Sequence, residues 1–383
     1  MKTDFDIIII GASLAGSSAA IRLSHSGLNV LLLDKSTFPR VKACGEGLSM
    51  FGYSYLKDLP CKDFLSDITK EPYFGFKITH PRTTQYLPCN NNEVVGFGIE
   101  RYLLDYKLLE IARETTLVQT GPECGVTAIN LKDSCTEVFS NGKKYTAKYL
   151  IAADGARSKI AKLCFPNNRS KSKDRYGLKC SLQLKSFHGL DRVNIVVKNG
   201  YEIYITPVAP DRLNLALLGN RQIIGQFAKS SNLELVLLEL KKSLCLDFER
   251  DSDPIVTGPL GARLKIPYAS RVLFIGDAAE TFDPLGGMGM SHALWTAKRA
   301  SQAIIMAEQS GNFIDQAMLY AQERERQARI FRGFTKLAFL TIKHLSKTPL
   351  PIWGRLSESA ENALLFNRNK LMSGFMSLVG TLS

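Results

Sequence analysis

Near its start the sequence reads Gly11-Ala12-Ser13-Leu14-Ala15-Gly16, and farther on it places an acid at Asp34, followed by Lys35. Residues of these types at this spacing could hold the pyrophosphate and ribose of a dinucleotide. Gly11 permits a tight turn, Ser13 is small enough for the pyrophosphate to approach the backbone, and Gly16 lets a helix and a strand pack closely. Ser13 stands where the usual pattern has a second glycine, and its hydroxyl could donate to a phosphate in compensation. Leu14 and Ala15 complete the turn, and the Asp34 carboxylate can accept hydrogen bonds from the adenosine ribose hydroxyls.

The pattern around these residues predicts the elements that position them. Residues 5–10 read as a short apolar strand, 13–26 as a helix with small residues through Ala20, and 30–33 as a second strand ending at Asp34. That is a βαβ unit. By itself it does not separate NAD from FAD.

Two distant segments bear on that choice: Tyr149-Leu-Ile-Ala-Ala-Asp-Gly-Ala-Arg157-Ser, and Arg271-Val-Leu-Phe-Ile-Gly-Asp-Ala-Ala-Glu-Thr-Phe-Asp-Pro-Leu-Gly-Gly-Met-Gly-Met290. Each reads as a strand ending in a Gly/Asp turn. With the start of the chain they resemble the three-part signature of the flavoprotein superfamily of aromatic-ring monooxygenases, geranylgeranyl reductases and flavin-dependent halogenases, across residues 4 to 300 or so. The resemblance implies FAD. Asp154 and Gly155 would lie between cofactor and sheet, with Arg157 nearby, and Asp277 after Gly276 would accept a hydrogen bond from the ribityl chain, which NAD lacks. Gly286, Gly287 and Gly289 would free a loop whose amides face the flavin. A helix follows, with Met290, Ala293, Leu294, Ala297 and Ile304 on its inner side and Gly311 at its end. Its positive N-terminus would stabilise anionic reduced flavin. By the same resemblance Arg101, opening a helix with Leu103, Leu104, Leu108 and Ile111 at helical spacing, would reach the FAD phosphate or ribityl region; a solvated arginine on an amphipathic helix is the alternative.

On the substrate side, Phe38-Pro-Arg40-Val-Lys42-Ala-Cys44-Gly45-Glu46-Gly47 resembles the loop of geranylgeranyl reductases that borders the isoalloxazine ring. That makes Cys44 the candidate for touching substrate and Gly45 for close backbone approach to the flavin, with a structural role for the thiol left open. Alternating strands at 177–184, 193–198, 201–206 and 213–218 predict a mostly antiparallel sheet roofing the flavin. Residues 200–207 keep part of a Tyr-x-Trp-x-Phe-Pro motif of those reductases. Tyr201 and Ile203 share one strand face and Tyr204 the other, so at most one tyrosine points into the pocket, and packing is the ordinary role of a strand tyrosine. The two tryptophans, Trp295 and Trp353, leave no Trp-x-Trp-x-Ile-Pro motif of halogenases. One dinucleotide fingerprint implies that NAD(P)H, as electron donor, visits only transiently.

Composition bounds the rest. The 383 residues, 45% hydrophobic, suffice for two or three units. No apolar run reaches the roughly 18 residues of a membrane span, and 7–10 follows acidic residues, unlike a secretory signal, so a cytoplasmic protein is expected. Eight cysteines without a C-x-x-C pair suggest reduced thiols and no metal site. A formal charge of +13 suits an anionic cofactor, substrate or lipid, whereas no recognisable nucleic-acid motif accompanies it. Residues 321–383 hold ten basic and four acidic side chains around Phe331, Phe334, Ala338, Ile342 and Leu345, a helical face that could touch a membrane peripherally.

The expected fold is α/β (α+β overall): a Rossmann-like FAD-binding domain from 1–75, 98–175 and 262–320, an inserted, mostly antiparallel β-sheet substrate domain from 76–97 and 176–261, and a C-terminal helical region, 321–383. The expected function is an FAD-dependent monooxygenase that hydroxylates or epoxidises a hydrophobic small molecule through a flavin C4a-hydroperoxide. The alternatives are a geranylgeranyl-reductase-like ene-reductase acting on an isoprenoid or other lipid double bond, and a non-catalytic flavoprotein. No histidine falls inside a matched motif, so no general acid or base is assigned.

Overall fold

The computed structural model describes residues 2–80, 83–87, 93–166, 170, 174–187 and 189–344. Its first sheet follows the order Tyr268–Ala269, Val272–Phe274, Lys143–Ala152, Phe5–Ile10, Val30–Asp34, Leu117–Thr120. Val30–Asp34, Lys143–Ala152 and Val272–Phe274 join the sheet in parallel, each pairing with a neighbour on this path. Strands covered on both faces need no polar side, which is why Ile7, Ile8 and Ile9 are all fully buried. Alternate residues serve different cores. Ile7, Ile9, Leu32, Ile151 and Leu273 pack under the helices Leu14–His25, Arg101–Thr115 and Gly289–Ser310. Ile8, Ile10, Leu31, Leu33, Leu150 and Phe274 pack on the opposite face.

A second sheet runs Phe248–Arg250, Tyr176–Leu184, Arg212–Gly219, Tyr201–Ala209, Val193–Lys198, Phe76–His80, Thr83–Leu87. It is antiparallel except where Val193–Lys198 pairs with Phe76–His80. One face, with Leu178, Cys180, Leu182, Ile203, Ile205, Leu213, Leu215 and Leu217, is covered by the helices Arg221–Phe227 and Ser230–Leu244. The other carries Lys179, Ser181, Tyr204, Thr206 and Asn214, all buried. A polar face can be buried only where partners meet it, and here they come from the loop 35–46, with Glu100 just before the helix Arg101–Thr115 reaching Arg212 on the same sheet. A small sheet of Gly47–Ser49, Gly96–Gly98 and Glu71–Tyr73 joins the two halves; a β-carbon on Gly98 would lie 1.6 Å from the Pro207 carbonyl oxygen.

The last described helix is Phe313–His344. It begins before residue 321, so the boundary expected at 320/321 falls inside an element. Its Phe331 is buried, while the side chains of Phe334, Ala338 and Ile342, and everything from Leu345 on, lie outside the described residues. Among the described residues no helix is long and apolar enough to cross a membrane, and no cluster suits a metal ion.

Candidate functional site

The three separated segments meet at the first turn. Gly11 has φ +103°, and a β-carbon there would lie 2.4 Å from the Ala153 carbonyl oxygen, one residue before Asp154. A β-carbon on Gly276 would lie 3.2 Å from that of Ala15. Backbone hydrogen bonds fasten the three ends together: Ala153 N donates to Ile10 O (2.8 Å) and Ile275 N to Ala152 O (3.0 Å).

Asp34 is buried at the end of its strand, with Oδ2 accepting from Ala12 N (2.7 Å) and Oδ1 from Ser36 N (2.8 Å). It therefore shapes the turn as well as standing at the ribose position. Ser13 precedes the helix Leu14–His25 without capping it; its Oγ instead accepts from Arg40 Nη2 (2.5 Å), whose guanidinium also lies 3.7 Å from Asp34. Leu14 and Ala15 turn their side chains into the core, and Lys35 is exposed. Asp154 accepts from Lys159 N (2.7 Å) and Ile160 N (3.2 Å) at the start of the helix Lys159–Cys164, which Ser158 caps, while its Oδ1 is buried without a protein partner. Burial raises its pKa against the pull of those amides.

Gly276 adopts φ +55° and donates its N–H to Thr296 Oγ1 (2.9 Å), so that Asp277 projects beside Lys42, 3.0 Å from its Nζ. Burial opposes ionisation of Asp277, but Lys42 and Arg101 outweigh it and the pKa falls. β-Carbons at Gly45, Gly155, Gly287 and Gly289 would meet nothing within 4 Å; the left-handed φ of Gly155 (+81°) and Gly287 (+63°) accounts for glycine there, whereas Gly45 and Gly289 have neither a clash nor a positive φ. Open glycines on the loops that converge on one crevice, next to a helix start at Gly289 that no side chain caps, suit a large anionic cofactor such as FAD. Met290 itself packs in the core.

Arg101 lies between the Asp277 turn, whose carboxylate it stabilises, and the Cys44 loop. It is buried and bonded to Asp105 by Nε (3.1 Å) and Nη2 (2.9 Å to each oxygen), with Cys44 as a further partner. Burial would lower its pKa, yet Asp105 and Cys44 raise it. Cys44 is half-buried. Its carbonyl accepts from Asn214 Nδ2 (3.2 Å) on the roof sheet and its Sγ from Glu46 N (3.4 Å). Glu46 in turn binds Lys179 of the roof (3.2 Å) and Arg101 N (3.1 Å) through Oε1.

The tyrosines separate as their parity demands. Tyr201 packs on Phe227, ring centroids 4.9 Å apart, under the helical cover and away from Cys44, which removes it from the substrate side. Tyr204 faces the flavin loop, packed with Tyr73, Ala216 and Leu285, and its buried hydroxyl has no protein partner. Beside it Arg175 bridges Glu202 (2.5 Å) and Asp283 (3.2 Å).

Sequence reasoning also missed His292, in the first turn of Gly289–Ser310. It is 1% exposed among Phe282, Trp295 and Phe331, and neither ring nitrogen has a protein partner. Burial, then Arg324, push its pKa from 6.5 down to about 3. The unfolded chain thus binds a proton that the folded one refuses across that window, and folding stability falls as pH drops through it, by about 1.4 kcal/mol per pH unit at most. His292→Phe is expected to lose less stability than wild type between neutral pH and about pH 5 in urea melts, the remaining carboxylates being common to both. Equal losses in the two proteins would refute a neutral buried imidazole.

Residues 4–175 match the family described as FAD binding domain. Over 367 residues the chain is 24% identical to digeranylgeranylglycerophospholipid reductase of Methanococcus vannielii, covering 89% of this chain and 87% of that protein. It is 26% identical over 321 residues to menaquinone reductase of Mycobacterium tuberculosis, covering 78% and 76%. Among solved structures, a flavoprotein/dehydrogenase from Cytophaga hutchinsonii superposes with TM-score 0.79 at 18% identity, covering 94% of this chain and 92% of that one, a likeness of fold.

Proposed function

We propose that this FAD-dependent oxidoreductase is an ene-reductase that saturates carbon–carbon double bonds in an isoprenoid lipid or prenylated quinone. One observation carries the reading: Cys44 stands on the loop that links the nucleotide crevice to the buried polar face of the roof, its backbone carbonyl held by Asn214 and its thiol flanked by Arg101. Two sequence relatives that span most of the chain are named digeranylgeranylglycerophospholipid reductase and menaquinone reductase. The monooxygenase expected from the sequence finds support only in likeness of fold, which does not carry reaction type.

FAD, when bound and reduced, supplies a hydride. The chain does the remainder. Asp277, Ser13 and the helix starts at Leu14 and Gly289 hold and orient the cofactor, with Arg40 and Lys42 as cations toward its anionic parts. The apolar layer around Tyr73, Tyr204, Ala216 and Leu285 receives hydrocarbon and excludes water. Cys44 gives a proton to the alkene carbon opposite the one that accepts hydride. NAD(P)H, visiting transiently, is the proposed electron donor.

Chemically reduced enzyme mixed anaerobically with a geranylgeranyl lipid or a prenylated quinone is expected to yield product carrying one added hydrogen pair per bond. Cys44→Ser should keep its flavin and reduce the alkene about 100-fold more slowly. Product that forms only with oxygen and carries an oxygen atom would end the ene-reductase reading.

A further inference from the structure

We propose that Glu46 is the proton reservoir behind Cys44: a buried carboxylic acid that carries its proton on Oε2 and restores the thiol after each reduction. The proposal rests on the reductase reading for its role in turnover, and on geometry alone for its protonated state.

Glu46 is 1% exposed and adopts φ +57°, a left-handed conformation that costs a side-chain-bearing residue about 1 kcal/mol or more. That backbone aims the carboxyl between the two halves of the molecule. Oε1 accepts from Lys179 Nζ (3.2 Å) and from Arg101 N (3.1 Å). Oε2 is buried and has no protein donor. Asn214, fully buried across the loop, donates Nδ2 to the Cys44 carbonyl, which leaves its Oδ1 buried and without a donor as well. Two acceptors around one cysteine, each lacking a donor, are costly. A proton on Oε2 turns one of the two acceptors into a donor and removes the unpaired anion from the interior.

Burial outweighs the charges around the group. The groups facing Glu46 are Lys179 from the roof, Arg101 and Glu100 from the helix start, and Cys44 on its own loop. The Arg101 guanidinium is engaged bidentately by Asp105, and Glu100 pairs with Arg212 at 3.3 Å. Burial raises the Glu46 pKa despite the pull of Lys179 and the Arg101 N–H, with a smaller push upward from Glu100. Lys179, which also donates to Ser181 Oγ (3.2 Å), keeps Oε1 an acceptor and so leaves the proton to Oε2.

The step balances. Bound reduced FAD would supply the hydride whose electron pair makes one C–H bond, while the alkene π pair takes the Cys44 proton to make the other and the S–H electrons stay on sulfur as thiolate. Glu46 N and Arg101 stabilise the thiolate until the proton on Oε2 reaches it. Solvent then reprotonates Glu46.

Three measurements on flavin-loaded protein test this. Infrared difference spectra should show a protonated-carboxyl C=O band that shifts in D2O and is missing from Glu46→Gln; retained flavin absorbance reports that the variant folds. Iodoacetamide labelling of Cys44, read by peptide mass spectrometry against pH, should keep its midpoint in the variant, since a neutral acid is replaced by a neutral amide. Single-turnover reduction should persist while steady-state turnover falls about 100-fold. A wild-type spectrum without the band, or a midpoint that drops by about one pH unit in Glu46→Gln because a negative charge was removed, would overturn the reservoir. Band and midpoint as expected with no alkene reduced would instead sink the reductase reading alone.

Discussion

Gly16→Ala is expected to purify without flavin and to unfold at about 3 kcal/mol less stability than wild type, the upper end of what overpacking a tight interior costs. A β-carbon at position 16 would lie 1.7 Å from the Gly11 carbonyl oxygen and 3.4 Å from the Ala153 side chain. The atom it meets is backbone, so no rotamer change relieves the clash. Moving Gly11 in turn disturbs the contacts that bring the other two segments to the crevice: its own approach to Ala153 and the Ala12 N–H held by Asp34 Oδ2 at 2.7 Å. Fold and cofactor site therefore fail together. Gly45→Ala is the control, since a β-carbon there meets nothing within 4 Å and φ is not in the left-handed region. It should melt like wild type. Thermal denaturation with flavin absorbance per protein reads both variants, and a yellow Gly16→Ala protein with unchanged melting would refute the packing argument.

What made that turn legible is that its determinants are local. Strand Phe5–Ile10, helix Leu14–His25 and strand Val30–Asp34 lie where apolar runs and small residues predict them, because each is specified within a few residues of itself. The roof strands Val193–Lys198, Tyr201–Ala209 and Arg212–Gly219 were legible for the same reason, down to the opposite faces of Tyr201 and Tyr204. The partners of Cys44 were not. Glu46 sits in the recognised loop, but its burial depends on Lys179 and Arg101, and Asn214 arrives from 170 residues away. An alternating strand pattern shows that Lys179 and Asn214 share a face without showing that the face is buried. The burial of Arg101 was hidden for a related reason: its pairing with Asp105 one turn along reads as ordinary helix surface until the rest of the fold covers it.

The C-terminal helix supplies the other large effect. Arg324, 1% exposed, donates from Nη1 to Glu280 Oε2 (2.9 Å) and from Nη2 to the Leu264 carbonyl (3.2 Å). Replacing it with methionine fills much of the volume but strands a carboxylate that is itself 3% exposed, and removing one partner of a buried pair typically costs 3–5 kcal/mol, about what Arg324→Met should lose in urea melts. Arg332, bonded to both Glu280 oxygens at 2.7 and 3.0 Å, softens the loss without cancelling it; being 29% exposed, it should itself cost about 1 kcal/mol or less when truncated. Adding Glu280→Gln to Arg324→Met removes the stranded charge and should recover more than half of the deficit. Arg324→Met alone should also weaken flavin retention, because Glu280, the residue it leaves loosened, closes the turn that presents Asp277 through its N–H to Gly276 O (3.1 Å). If the double variant is no more stable than Arg324→Met, the cost lies in lost packing along the helix and not in an unpaired carboxylate, and the coupling between this helix and the Asp277 turn must run through Tyr320, whose hydroxyl donates to the Phe274 carbonyl at 2.6 Å.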